Sequence, residues 1–397
     1  MRVLLTTESY LPYLSGVTVS VDSLARGLGL RGHEVLVLAP RPARGSAPEP
    51  AGSPGPAPRY AWLPSYQPPI VAPPGYRMPA PVPLPRGLRE ARAFRPEIVH
   101  AHSPFVTGRF ARRLAADLGV PLVFTHHTRF ADYGHYLGPL AGPGSRLTDA
   151  YLRRFWDACA AIVAPSEDLA SDIRARLPAS DADRVHVIPT GVDVAGIRTL
   201  ASVDARAEAG WPGDALVVAS LGRLAPEKSP ELLLEAVAVA AARLPLLRLL
   251  VIGGGPSQAV LRARSDRPDL TGRVHLTGAV PRPEALARLS GADVFLFTSR
   301  TETQGLVLAE ALTAGLPAVA VEGPGVGESV RDGVDGLVVP HQPADLLPQR
   351  LADAIVSLAD PSRRAAMAER AAADADRFAV ERRVAEAEEL YGRLGQI

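Results

Sequence analysis

Apolar residues along this chain fall into short runs, each followed by a loop and then by a stretch of helical spacing. Arg2–Thr7 and Glu34–Leu38 read as strands, and between them Val17–Arg31 reads as a helix that Gly32 stops. A strand within 96–104, a helix over Thr107–Leu118 and a strand over Leu122–Thr125 follow. A helix over Leu147–Ala158, a strand over Ala161–Ala164, a helix opened by Ser166 and a strand over Val185–Ile188 complete this half. The second half restarts the same grammar, with strands at Leu216–Leu221, Arg248–Ile252, Val274–Thr277, Val294–Phe297 and Ala318–Val321 and helices between them. Strands alternating with helices in both halves argue for two doubly wound α/β domains. The expected division is 1–195, 196–365 and a helix-forming tail, 366–397, whose Phe378 and Tyr391 dock back on the first domain.

One stretch breaks the alternation. Residues 40–85 are crowded with Pro, Gly, Ala and Ser, and read as a long, mostly extended surface excursion with a flexible tip near Gly45–Pro58. Directly after it, Arg86, Arg89, Arg92 and Arg95 repeat at every third position. Such a basic edge is either a solvated helix face or a surface that meets anionic lipid headgroups.

A length of 397 residues accommodates two domains, each with its own core. A formal net charge of +1 gives no reason to expect a nucleic-acid partner. No apolar run is long enough for a membrane span. Cys159 is the only cysteine, so no intrachain disulfide can form and a reducing compartment is expected. The chain has no asparagine and one lysine, Lys228; a biased genome is the simplest cause.

The densest chemistry lies at Ser299–Leu312. A buried strand ends just before it and an Ala/Leu-rich helix follows, so the amides of Gly305 and Leu306 stand at a helix start suited to an anion. Glu302 and Glu310 lie on either side of that start. As a pair flanking a scissile bond they would suit a glycosidase. Their placement around an anion site suits the gripping of hydroxyls better. Arg223 and Lys228 leave another strand end five residues apart, where cations would meet a diphosphate. Lys228 is otherwise a chance survivor of the bias. In the first half, Gly16 follows the first strand where backbone can approach a ligand, though taken by itself it is better read as a plain turn. His126, His127 and His135 cluster after Leu122–Thr125. A metal site would need them on one face, and adjacent residues at a strand end point apart; one histidine acting on a sugar or phosphate oxygen fits better. The short runs Asp181–Asp183 and Asp374–Asp376 read as surface residues.

These motifs together resemble those of the family 4 retaining glycosyltransferases. Glu302 and Glu310, Gly222-Arg223 with Lys228, Gly253–Pro256, Ile188–Asp193 and the Gly16 loop occur in the family's order over nearly the whole chain. Within the family, 125–136 and 302–306 resemble the bacterial diacylglycerol glucosyltransferases, with phosphatidylinositol mannosyltransferases next. The resemblance implies the GT-B fold: two Rossmann-like domains facing each other across a cleft, with a C-terminal helix returning to the first. It implies that His127 contacts the donor sugar, that Arg223 and Lys228 hold the diphosphate, that Glu310 binds the ribose, that Glu302 binds sugar hydroxyls and that the backbone near Val280 meets the base. The donor, a UDP- or GDP-hexose, is a co-substrate, and neither cofactor nor metal is implied. The expected activity is hexosyl transfer, with glucose from UDP-glucose going to a lipid such as diacylglycerol. The enzyme is expected in the cytoplasm, peripheral at the inner face of the plasma membrane through its N-terminal domain. A GDP-mannose-dependent mannosyltransferase, a nucleotide-sugar epimerase and a non-catalytic binding subunit are the alternatives. The chain departs from the family at Thr190, where Asn is usual, and in the Pro-rich excursion.

Overall fold

A computed structural model of the protein describes residues 1–46, 54–68, 75–80, 82, 85–129 and 141–396, without the side chains of 141–146. The chain divides into two compact units, Met1–Gly191 with Val380–Ile397, and Val192–Ala379.

The first unit runs β1 (Arg2–Thr6), α1 (Gly16–Leu30), β2 (Glu34–Pro40), β3 (Arg59–Leu63), β4 (Ser65–Tyr66), β5 (Met78–Pro79), α2 (Arg86–Ala93), β6 (Ile98–Ala101), α3 (Val106–Leu118), β7 (Leu122–Thr125), α4 (Ala141–Trp156), β8 (Ala161–Ala164), α5 (Glu167–Arg174) and β9 (Val185–Val187). Its main sheet is parallel, in the order β3-β2-β1-β6-β7-β8-β9. Strands β1, β6, β7 and β8 are buried nearly throughout, as parallel strands covered by helices must be. The excursion is where expectation and structure part. It is not merely a surface loop: β3 pairs with β2 as the sheet's edge, with Ala61 and Leu63 fully buried. Arg26, held by Asp22 at 3.0 Å, donates to the Gly55 carbonyl at 2.9 Å and ties the segment to α1. The expected flexible tip falls partly on 47–53, outside the described residues. Arg95 also departs from the expected helical row. It lies past the end of α2 with φ 51°, and its carbonyl accepts a bond from Arg2.

The second unit runs α6 (Val194–Thr199), α7 (Ala205–Ala209), β10 (Leu216–Leu221), α8 (Pro230–Ala241), β11 (Leu247–Ile252), α9 (Gln258–Ser265), β12 (Val274–Gly278), α10 (Arg282–Leu289), β13 (Val294–Phe297), α11 (Leu306–Thr313), β14 (Ala318–Val321), α12 (Val326–Ser329), β15 (Gly336–Val339), α13 (Leu347–Ser357) and α14 (Pro361–Ala373). Its parallel sheet has the order β12-β11-β10-β13-β14-β15. The strand period of two divides its apolar residues between two cores. Leu249, Val251, Val294 and Leu296 face one layer, and Leu250, Ile252, Phe295 and Phe297 face the other.

The unit boundaries differ from the expected division. Helix α14 and Phe378 belong to the second unit, Phe378 within its core, and only α15 (Val380–Leu394) joins the first. The return depends on close packing: a Cβ on Gly27 of α1 would lie 2.4 Å from Val384. His33 meets Glu388 at 2.8 Å, Arg31 grips the same carboxylate, and fully buried Tyr391 bonds the His100 ring at 2.6 Å.

Candidate active site

Both sheets change the direction of strand addition once, at β1/β6 and at β10/β13. In open α/β sheets such switch points open a crevice beyond the strands' carboxyl ends.

In the second unit the loops after β10 and β13 border this crevice, and side-chain hydroxyls lace them together. Thr298 donates to the carbonyls of Lys228 (3.2 Å) and Ser229 (3.1 Å), and Thr301 donates to that of Glu227 (3.0 Å). The turn Pro226–Lys228 ends at Ser229 with φ 49°, which starts α8. Lys228 Nζ meets Glu302 Oε1 at 2.5 Å, and both side chains are partly exposed. Arg223 is more exposed and approaches Glu227 at 3.8 Å. Gly305, with φ 73°, takes the cap position of α11 and presents no side chain to the helix start. Close backbone approach also dictates glycine at 253, where a Cβ would sit 2.0 Å from the Gly222 oxygen. Ser299 Oγ is buried in this loop with no hydrogen-bond partner among the described residues. Glu310 is buried on α11, as its apolar neighbours imply, and the partner it requires is Arg282 on α10. Val280, after β12, packs half-buried against the same core layer.

The first unit's crevice has a different character. Gly16 opens α1 behind Ser15, whose Oγ accepts from Thr18 N at 3.2 Å. A Cβ at Gly16 would meet nothing within 4 Å, so the fold itself does not require glycine there. Glu8 accepts from Thr107 N at 3.1 Å, and burial raises its carboxyl above the usual range. At the carboxyl ends of β6 and β7 runs a stack of imidazoles. His100 and His102 lie 4.3 Å apart, and His102 Nδ1 is 2.9 Å from His127 Nε2. His100 also bonds Thr125 at 2.7 Å. Burial, aided by neighbouring histidines, lowers His100 to about 3 and His102 well below its ordinary value. Burial also lowers His126 to about 3 and His127 to about 4. All four rings are therefore neutral near pH 7. Since both are neutral, one of the His102–His127 pair donates and the other accepts.

The structure thus gathers Arg223, Lys228, Glu302, Gly305, Leu306 and Glu310 around one switch point, and sets Gly16 and His127 at strand ends of the other sheet. Residues 130–136 of the histidine loop, including His135, lie outside the described residues. Among the described residues no group of three or more His, Cys, Asp or Glu side chains is arranged to hold a metal ion. Among them, too, no helix is long and apolar enough to cross a membrane. Asp181 pairs with Arg184 and Asp374 with Arg377. Sequence reasoning missed Arg282, Glu8 and the His100–Tyr391 bond. The only signal for the last was the His-Ala-His spacing at the end of β6, whose alternation puts two imidazoles on one face.

Known proteins place this architecture. Residues 14–195 match the model Glycosyltransferase Family 4, and residues 203–374 match Glycosyl transferases group 1. A GDP-mannose-dependent alpha-mannosyltransferase of Mycolicibacterium smegmatis is 32% identical over 85% of this chain and 84% of its own. The chain belongs to the family 4 glycosyltransferases. An alpha-monoglucosyldiacylglycerol synthase of Acholeplasma laidlawii is another relative, 29% identical over 85% of this chain and 84% of its own. Among solved structures, Anabaena HepE in complex with UDP and glucose superposes with a TM-score of 0.73 at 19% identity, covering 99% of this chain and 100% of that one. The glycosyltransferase fold is therefore GT-B, and the protein is an enzyme of that class.

Proposed function

We propose that this glycosyltransferase moves a hexosyl unit from a nucleotide sugar to a lipid hydroxyl with retention at the anomeric carbon and without a catalytic metal. UDP-glucose is the proposed donor and diacylglycerol the proposed acceptor. The observation that carries the reading is the Lys228–Glu302 pair at the second switch point, beside the glycine-capped start of α11. A diphosphate bound there meets Lys228, Arg223 and the amides of Gly305 and Leu306. As Lys228 turns to the phosphate, Glu302 becomes free to accept hydroxyls of the sugar. Glu310 takes the ribose while sharing its charge with Arg282, and the backbone at Val280 meets the base. In the transfer the bond from the anomeric carbon to the diphosphate breaks, and the acceptor oxygen bonds the same face of that carbon. The acceptor's proton passes to the departing phosphate, whose charge Lys228 and Arg223 stabilise. His127, held neutral, serves the donor sugar as a hydrogen-bonding group. The first unit takes the acceptor, at the cytoplasmic face of the membrane.

A second reading is mannosyl transfer from GDP-mannose to a phosphatidylinositol-type or soluble acceptor, favoured by the mannosyltransferase relative. Nucleoside diphosphate release from UDP-glucose and GDP-mannose, each offered diacylglycerol, phosphatidylinositol and simple sugars, separates the two. Acceptor-dependent release with an α-linked product is expected. Release from neither donor with any acceptor contradicts both readings, and conversion of the donor alone would indicate an epimerase.

A further inference from the structure

The proline-rich segment, which the proposed donor chemistry leaves unused, borders a pocket of its own. Between positions 41 and 86 the sequence holds five arginines and one carboxylate, Glu49. The fold gathers four of these arginines. Arg41, Arg44, Arg77 and Arg86 line an open pocket of about 460 Å³ together with Trp62 and Ser65. It lies just beyond the carboxyl ends of β2 and β3, the side on which open α/β sheets bind ligands.

Its arginines are partly preset. Arg77 donates through Nε to Ser65 Oγ and through Nη2 to Ser65 O, both at 2.8 Å. Ser65 Oγ in turn donates to the Arg41 carbonyl at 2.6 Å. Arg41 and Arg77 also line an adjoining recess with Tyr13 and Tyr76, whose rings pack edge to face at 5.2 Å. Among the described residues, the one carboxylate paired with any of the four is Glu90, which meets the exposed Arg86 at 2.8 Å. Gathered guanidiniums repel one another, and a multiply charged anion relieves that repulsion. Planar guanidinium forks suit tetrahedral oxyanions, to which they donate in pairs. Trp62, half-buried and stacked on Tyr60 at 5.0 Å, offers an apolar wall for a carbon skeleton attached to the anion.

We propose that this pocket binds a phosphate group, as a monoester or diester, carried by a phosphorylated acceptor or by a phospholipid lying beside a phosphate-free acceptor such as diacylglycerol. The inference rests on the reading that the first unit takes the acceptor. Its chemistry fits a free polyol phosphate and a phospholipid headgroup alike. The test uses the full chain and two probes: glycerol 3-phosphate in calorimetry, and flotation of phosphatidylcholine vesicles with and without phosphatidylglycerol. The variants are Arg41→Ala/Arg77→Ala and, at an exposed position, Arg44→Glu. Thermal melting checks folding. Binding of glycerol 3-phosphate that both variants weaken roughly tenfold or more identifies a free phosphate ester as the ligand. Binding confined to phosphatidylglycerol vesicles and lost in both variants identifies a lipid phosphodiester. Failure of wild type to bind either probe, or binding that neither variant changes, overturns the proposal. Nucleoside diphosphate release measured on the same samples separates the outcomes. Release without phosphate binding removes this pocket alone, and arginine-dependent phosphate binding without release removes the transferase reading alone.

Discussion

The two switch points share a topology and differ in charge. Around β10/β13 the loops carry Arg223, Lys228, Glu302 and, deeper, the Glu310–Arg282 pair, with hydroxyls cross-linking the backbone. Around β1/β6 the strand ends carry imidazoles kept neutral by burial and a carboxyl of raised pKa. On the proposed function, the charged crevice holds the diphosphate and stabilises its departure, and the neutral one admits the acceptor hydroxyl. Topology places a crevice at each, and the residues at the strand ends decide which ligand it takes.

The largest expected break in the contrast is Lys228→Ala. It removes the central cation and leaves Glu302 without its partner, so kcat/KM for hexosyl transfer should fall about 10²–10³-fold, read by nucleoside diphosphate release. Next is acid sensitivity of the first unit. Its histidines are held neutral when folded and bind protons near pH 6.5 when unfolded, so their stabilisation is present above that pH and is lost as pH falls toward 4. Each contributes a slope of about 1.4 kcal/mol per pH unit in that window, and urea melts at stepped pH should show it. His102→Gln should flatten the slope. Tyr391→Phe deletes the bond to His100 and should cost about 1–2 kcal/mol of stability in the same melts. The smallest effect on folding is expected for Gly16→Ala. The added methyl meets nothing in the protein, so stability should stay within about 0.5 kcal/mol, while transfer should slow on the proposal that the donor approaches that backbone.

Much of this architecture is legible in the chain. The strands at Leu216–Leu221, Val294–Phe297 and Ala318–Val321 announce themselves because parallel strands covered on both faces are continuous apolar runs. The loops after β10 and β13 stand out because glycine, cations and helix starts at strand ends are the pattern that phosphate chemistry needs. β3 was hidden because Tyr60–Leu63 is a short run inside a proline-rich stretch, and an edge strand tolerates such surroundings. The burial of Glu310 was readable from its apolar neighbours, but not its partner: Arg282 is 28 positions away, on another helix. The bond from His100 to Tyr391 spans 291 positions and exists only because α15 returns to the first unit. Local pattern gives the elements and the loops that carry chemistry; pairings between distant side chains arise from packing.

The central claim is that Lys228 holds the donor's diphosphate. Calorimetric titration of UDP and GDP into the wild-type chain, Lys228→Ala and Lys228→Arg tests it most directly. Wild type should bind one nucleotide with a Kd on the order of micromolar to millimolar, weakened at least about tenfold in Lys228→Ala and partly restored in Lys228→Arg. Equal affinity in all three would contradict it.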